Sequence, residues 1–506
     1  MINVLILILL GFIYMFTITN QALLTTISCP AIGAVIIWLL PQSAHNNHRS
    51  VALWITLVTL ISSLMIWGNF DNSCSWFQQI FSVQIEWNGT IWVSCPFGID
   101  GFSLWMILLT TALFPLCVIC SWNTVYRSSQ SFYIILLILE TMLCCLWSVN
   151  DYLAFYIFYE SVLIPMFLCI CIAGSRERKI LAAYQLVLYT LIGSLLLLPC
   201  LLFIYTLYGS TSLYLVYQND CSLDRQLVLW WGFFFAFAVK IPIVPLHLWL
   251  PEAHVEASTA GSVILAGVLL KLGGYGFLRL CLPFLPEACS YYSPFIFLLS
   301  LLAIIYTSLT TLRMVDLKKI IAYSSVAHMS FVMLTLFSFN ELSYSAALFF
   351  MISHGIISPA LFLCVGILYD RYHTKYLKYL GGVAYTMPLF SIWFFIFTAA
   401  SIGLPLFPSF IAEFMCLTGI FYAHTLAACI ASFGLILSAC YSLWAYARVV
   451  HGLPKQQATN LMCDLCRREW FMLLPLFIIC IWLGILPSVM LETIEHSSFF
   501  WVQLSD

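Results

Sequence analysis

The sequence predicts an all-α membrane protein, a polytopic helix bundle of about 14 spans with two inverted five-helix repeats and broken helices at spans 7 and 12. Three observations carry this reading. First, 63% of the 506 residues are apolar and 8% are charged, against about 45–50% and about 25% in soluble domains. A water-soluble globule is thereby excluded. Second, apolar runs near the roughly 20 residues needed to cross a bilayer recur along the chain. Third, the basic residues fall almost entirely on alternate loops. The net charge of −2, from 19 Lys+Arg and 21 Asp+Glu, gives no basic field for a nucleic acid, so the partners of the chain belong to the bilayer.

The chain opens on the apolar run 2 to 16 with no Arg- and Ser-rich leader, and 22 to 40 follows at once. Residues 2 to 40 therefore accommodate either two spans or one span with an apolar lead-in at 2 to 19. With 22 to 40 as span 1, the next are 51 to 69 and 98 to 122, completing an N-terminal unit at 1–131. Spans 132 to 149, 152 to 173, 181 to 207, 227 to 250 and 261 to 281 make the first repeat, 132–281. Spans 292 to 312, 318 to 338, 344 to 369, 386 to 422 and 425 to 449 make the second, 292–449, and span 14 is 470 to 492 within 470–506. Polar punctuation between spans is short except at 70 to 97, so no soluble domain is expected.

Loops after odd-numbered spans hold 15 of the 19 basic residues, and even loops and flanks hold only Arg225 and Arg279. Basic loops mark the side on which synthesis occurs, so the odd loops are expected to face the cytoplasm or matrix. The two cations left over, Lys240 and Lys271, lie in the middle of apolar spans. A Lys or Asp at a helix centre costs roughly 2.5–3.5 kcal/mol, which makes intramembrane ionisable groups functional candidates. Glu140, Glu160, His328, His354 and Glu413 share this anomaly. One such residue is readily explained as a structural ion pair or a snorkelling side chain; seven along one chain are better explained by transport.

Two spans are interrupted beside these charges. Span 7 reads Lys240-Ile241-Pro242 with Pro245 following, and span 12 reads Leu404-Pro405 with Pro408 and then Glu413. Proline removes a backbone donor and kinks a helix, which membranes tolerate where the freed groups meet protein, water or an ion path. Paired broken helices in corresponding places point to inverted repeats around a transport site. Within such a site, burial disfavours the charged form of a Lys and an approaching carboxylate restores it, which makes Glu160 and Lys240 the expected coupled pair. Lys271, His328 and His354 would relay protons laterally with waters bridging gaps, and Glu413 would be the terminal carboxylate.

Other chemistry finds little support. Most of the 20 cysteines lie in apolar runs, where Cys behaves as a small hydrophobe. The pair Cys463 and Cys466 has only His451 near it in sequence, short of the four ligands of a structural zinc site. Gly273-Gly274-Tyr275-Gly276 sits in an apolar helix and reads as close helix packing. His247 and His254 are spaced to share a helical face, and both a proton-path role and, with less support, metal binding remain open.

Several segments resemble a known family. Tyr159-Glu160-Ser161-Val162-Leu163-Ile164-Pro165-Met166, the run from Lys240-Ile241-Pro242 through His247-Leu248-Trp249-Leu250-Pro251-Glu252-Ala253-His254, and Gly267-Val268-Leu269-Leu270-Lys271-Leu272-Gly273 are similar to the subunit 4 family of mitochondrial NADH:ubiquinone oxidoreductase, respiratory complex I. So are Asp316-Leu317-Lys318-Lys319 through His328, and Ser353-His354-Gly355; the likeness runs from about Phe97 to Val450. The resemblance implies an antiporter-like, proton-translocating subunit of fourteen spans in the mitochondrial inner membrane. Its key groups fall on Glu160, Lys240, Lys271 and Glu413, with His328 and His354 between them and Glu140 as a secondary acid. It also implies no redox cofactor and no metal in this chain, with FMN, iron–sulfur clusters and ubiquinone in other subunits. The implied partners are neighbouring antiporter-like and other membrane-arm subunits, lipid, protons and water. A cation/proton antiporter of the same ancestry is the alternative, and a passive spacer of the membrane arm is a third reading. Three positions depart from the family pattern: Leu406 and Ala412 replace Gly, and Ser258 replaces Pro.

Overall fold

The computed structural model describes residues 22–503 apart from 75, 88–89, 124–128, 175–176, 220 and 454–462. The apolar lead-in at 2 to 19 lies outside the described residues. Helices α1 (Ala22–Leu39), α2 (His45–Gly68), α3 (Gly101–Cys120), α4 (Ser129–Ser148), α5 (Tyr152–Ala173) and α6 (Lys179–Tyr208) follow the expected spans. A short α7 (Leu213–Tyr217) leads to α8 (Leu223–Lys240) and α9 (Trp249–Glu256), the two halves of span 7. Then come α10 (Thr259–Cys281), α11 (Pro286–Arg313), α12 (Leu317–Leu336) and α13 (Glu341–Tyr372). A one-turn α14 (Val383–Thr386) precedes α15 (Pro388–Ile402) and α16 (Pro408–Ala423), the two halves of span 12. The chain ends with α17 (Thr425–Val450), α18 (Arg467–Ile485) and α19 (Ser488–Gln503). Among the described residues, 12 helices are long and apolar enough to cross a membrane by themselves.

Three details add to the expected spans. The all-α bundle carries one addition, a hairpin in which β1 (Gln78–Trp87) and β2 (Thr90–Ile99) pair antiparallel across the segment 70 to 97. This hairpin satisfies its own backbone groups, as a polar-flanked excursion from a membrane bundle must. The expected span 470 to 492 is two helices rather than one. Pro487, which lacks the donor that would continue the ladder, separates α18 from α19. α11 begins six residues before the expected span 9, as α2 does before span 2, and Pro286 occupies the first turn of α11, where its missing N–H is no loss.

α10 and α13 are buried along their whole crossing windows, 100% in each case, and form the axis of the bundle; α1, α2, α6, α11, α17 and α18 leave more than half of theirs unburied within the chain. Many hydroxyls inside the spans are satisfied locally. The hydroxyls of Thr25, Ser62 and Thr307 donate to carbonyls three or four residues back at 2.7–2.8 Å, the usual device for hydroxyls in a membrane helix. α3 starts on a reciprocal cap, in which Asp100 accepts from the Ser103 N–H and the Ser103 hydroxyl accepts from the Asp100 N–H.

Candidate functional site

Lys240 is the last residue of α8, where the broken span opens into turns between 241 and 248. Its Nζ donates to the Tyr159 carbonyl of α5 at 2.8 Å and lies 3.0 Å from the centroid of the Tyr159 ring. Tyr159 in turn donates its hydroxyl to the Ala236 carbonyl at 2.8 Å, and Trp249 Nε1 of α9 donates to the Val239 carbonyl at 3.0 Å. Two aromatic donors therefore hold the opened end of α8, supplying partners for carbonyls near the break. Glu160 lies beside this contact in sequence, half-buried. No ion pair joins it to Lys240 among the described residues, and its Oε1 has no hydrogen-bond partner in the protein. The expected pair is thus arranged around the Tyr159 carbonyl rather than in direct contact.

Lys271 lies at the centre of α10, fully buried. The helix widens into π turns at Leu265–Leu269 and Phe277–Cys281, on either side of it. Such bulges free carbonyls from the regular ladder and recur at functional sites. The Lys271 ammonium donates to the Ala266 carbonyl in the first of these turns and lies 2.9 Å from His354 Nδ1 on α13. The His354 ring centroid is 5.7 Å from that of His328 on α12. α10 reaches α8 closely because Gly273 packs on it: a Cβ there would come within 2.7 Å of the Phe237 carbonyl.

A cavity of about 20 Å³ continues from the two histidines, enough for about one water. Its walls include His328, His354, Ser324, Ser358, Ser409 and Glu413. Span 12 breaks here. Gly403, at φ 82°, ends α15, and Pro408 starts α16, as its ring suits a first helical turn. The Glu413 carboxylate folds back against Gly403, where any Cβ would collide with Glu413 Oε2. Glu413 Oε1 is buried with no hydrogen-bond partner in the protein. Lys271, His354, His328 and Glu413 therefore form one line, buried except at the half-buried His328 and ending at the broken helix.

Glu140 stands apart from that line. Its Oε1 accepts from the Thr59 hydroxyl of α2 at 2.7 Å, inside the N-terminal part of the bundle. His247 and His254 are buried, with neither ring nitrogen hydrogen-bonded in the protein; His254 stacks on Phe362 at 4.6 Å between centroids. Among the described residues, no group of three or more His, Cys, Asp or Glu is arranged to hold a metal ion.

Of the departures from the family pattern, Ser258 caps α10 by accepting from the Gly261 N–H at 3.2 Å. Leu406 sits at φ 86° in the break of span 12, a left-handed conformation better suited to Gly. Sequence reasoning missed two arrangements. Arg279 donates to Asp100 Oδ2 and to Asn150 Oδ1, both at 2.7 Å, in a fully buried cluster at the end of α10. Asp464 accepts from the N–H groups of Leu389 and Phe390 at 2.8 and 3.1 Å, capping α15 from a distant loop. Arg279 lies at the end of an apolar span, where a loop cation is expected, and nothing local to Asp464 marks it as the cap of a helix 75 residues away.

The line of titratable groups is suited to one kind of chemistry, the hand-over of protons between neighbours that alternately bind and release them. Comparison with known proteins gives the family of the chain. Residues 149–438 match the family described as NADH:quinone oxidoreductase/Mrp antiporter, TM. The chain is 48% identical over 485 residues to NADH-ubiquinone oxidoreductase chain 4 of Chondrus crispus, covering 96% of this chain and 98% of that one. It is 49% identical over 468 residues to the chain 4 of Marchantia polymorpha, covering 92% and 94%. Among solved structures, it superposes on a chain of respiratory complex I from Thermus thermophilus with bound NADH at a TM-score of 0.85 and 25% identity, covering 97% of this chain and 100% of that one. A chain of the Mrp complex from Dietzia sp. DQ12-45-1b shares the fold, with a TM-score of 0.82 at 19% identity, covering 97% and 99%. High identity over nearly the whole length of these relatives, together with the matched membrane domain, places this multi-pass chain in the NADH-ubiquinone oxidoreductase chain 4 family.

Proposed function

We propose that this chain is a proton-translocating, antiporter-like subunit of respiratory complex I in the mitochondrial inner membrane. It crosses the membrane fourteen times as two inverted five-helix repeats. Electrons pass from NADH to ubiquinone through FMN and iron–sulfur clusters in other subunits, and this chain contributes no redox centre. Its neighbours in the membrane arm include further antiporter-like subunits.

The observation that carries this reading is the line from Lys271 through His354 and His328 and across the cavity to Glu413. Lys271 and His354 are close enough to exchange a proton directly, and the cavity has room for the water needed to reach Glu413. Lys240, held by the Tyr159 carbonyl beside Glu160, is the loading site of the first half. A displacement of Glu160 toward Lys240 favours the ammonium, and its withdrawal favours release of the proton toward α10. Moving one charge across 100 mV requires about 2.3 kcal/mol, and each pKa unit supplies about 1.36 kcal/mol. A swing of about two units between loaded and released states therefore meets the load. Glu140, bonded only to Thr59 and remote from the line, is a secondary acid.

The test is to solubilise native membranes gently, resolve intact complexes, stain for NADH oxidation and locate the chain by mass spectrometry. Co-migration with the NADH-oxidising assembly is expected. Migration apart from it, with sodium-dependent proton flux, would replace this reading with a cation/proton antiporter.

A further inference from the structure

The segment Asp316-Leu317-Lys318-Lys319 has no place in the path above, yet its cations converge on one feature. Lys318 Nζ, 2% exposed, donates to the Ala257 carbonyl at 2.9 Å. Lys375 Nζ, 1% exposed, donates to the Val255 carbonyl at 2.5 Å. Lys319 forms an ion pair with Glu252 at 2.6 Å. All three acceptors belong to α9 or the residue that ends it, and all three cations come from the start of α12 or the strand-like segment beside it. The two sources are themselves tied together, since Leu317 N–H donates to the Lys375 carbonyl at 3.0 Å and Leu377 N–H donates to the Val315 carbonyl at 2.9 Å.

A helix C-terminus carries unsatisfied carbonyls and the negative end of the macrodipole. α9 is only eight residues long, a half-helix detached from α8 by the break, so its own hydrogen bonds hold it weakly. Burying two ammonium groups is costly unless each is well bonded. Here both bond to the same helix end, and the benefit goes to the position of α9. The other face of α9 carries His254, which stacks on Phe362 of α13, and Trp249, which bonds the end of α8 beside Lys240.

We propose that Lys318 and Lys375 are positioning residues, a cationic clamp by which the second half of the molecule holds the broken helix of the first and so fixes Lys240 against the axial path. The clamp rests on the proposed function. It acts through the backbone carbonyls of Ala257 and Val255, and no proton need pass through either lysine.

Arginine discriminates this role from proton relay, because a guanidinium still donates to a carbonyl but cannot give up its proton. In the intact complex, Lys318 and Lys375 are changed singly to Arg and to Met. Two quantities are measured: protons moved per NADH oxidised, and hydrogen exchange of the amides of α9. The Arg variants are expected to keep the pumping ratio and the slow exchange of α9. The Met variants are expected to exchange α9 at least tenfold faster and to lose at least half of the ratio. If the Met variants fail to assemble, the Arg variants alone decide the matter. Arg variants that assemble with protected α9 but do not pump would overturn the clamp, and so would Met variants with unchanged exchange. A parallel Lys271→Ala variant separates the two proposals. An unchanged ratio there defeats the proton path, while the exchange of α9 still judges the clamp.

Discussion

Replacing His354 by Leu should nearly abolish pumping, and the structure sets the scale of the loss. Lys271 Nζ is 2.9 Å from His354 Nδ1, and the His354 and His328 ring centroids are 5.7 Å apart. Leucine removes the titratable group between Lys271 and His328 and leaves a gap of roughly 9 Å, which needs about two waters at hydrogen-bond spacing. The leucine side chain fills much of that space with apolar atoms, so each water must be ordered at a cost of up to about 2 kcal/mol. A barrier raised by about 3–4 kcal/mol slows transfer by about two to three powers of ten. The assay is proton uptake by inner-membrane vesicles during NADH oxidation, normalised to NADH oxidation with an artificial acceptor, which does not need the membrane path. Pumping below about a tenth of the native ratio, with acceptor activity retained, is expected. His354→Leu complex that pumps at half the native ratio or more would refute the reasoning, since protons would then reach Glu413 without His354.

Gly403→Ala should mimic loss of Glu413 without touching the acid. The left-handed backbone at φ 82° disfavours any side chain by roughly 1–2 kcal/mol, and the new Cβ displaces the Glu413 carboxylate; assembled complex with a normal pumping ratio would contradict this. Leu406→Gly works in the opposite sense: it relieves roughly 1–2 kcal/mol at φ 86°, partly offset by the roughly 0.5–1 kcal/mol entropic cost of Gly. Thermal inactivation of the solubilised complex should therefore be slower than native, and faster inactivation would show that the leucine contact matters more than its backbone. Arg279→Met leaves Asp100 buried without its partner, which costs about 3–5 kcal/mol, so the amount of assembled complex on native gels should fall. Adding Asp100→Leu should recover part of it, and no recovery would mean that the ion pair is not the cause.

Much of this site was legible in the sequence because a membrane punishes errors of placement. A charge in an apolar run stands out, and so the sequence alone marks Lys240, Lys271, His328, His354 and Glu413. The broken helices were legible for the same reason, since Pro242 and Pro405 interrupt otherwise regular spans. Contacts through the backbone were not legible. Lys240 binds the Tyr159 carbonyl rather than the Glu160 carboxylate, and a carbonyl leaves no mark on residue type. The π turns flanking Lys271 depend on packing around α10 and have no local composition signal. The same holds for Lys318 and Lys375: counted as loop cations, they are buried by contacts 61 and 120 residues distant. The hairpin β1–β2 lies in a 28-residue segment between spans whose charge and hydropathy carry no sign of strand pairing.

The central claim is that protons leave the axis through Glu413. The most direct measurement is the number of protons moved per NADH oxidised by intact complex carrying Glu413→Gln, a substitution that keeps the shape and removes the titration. A lowered ratio with NADH oxidation by the artificial acceptor unchanged is the predicted result. An assembled complex with the native ratio would contradict it.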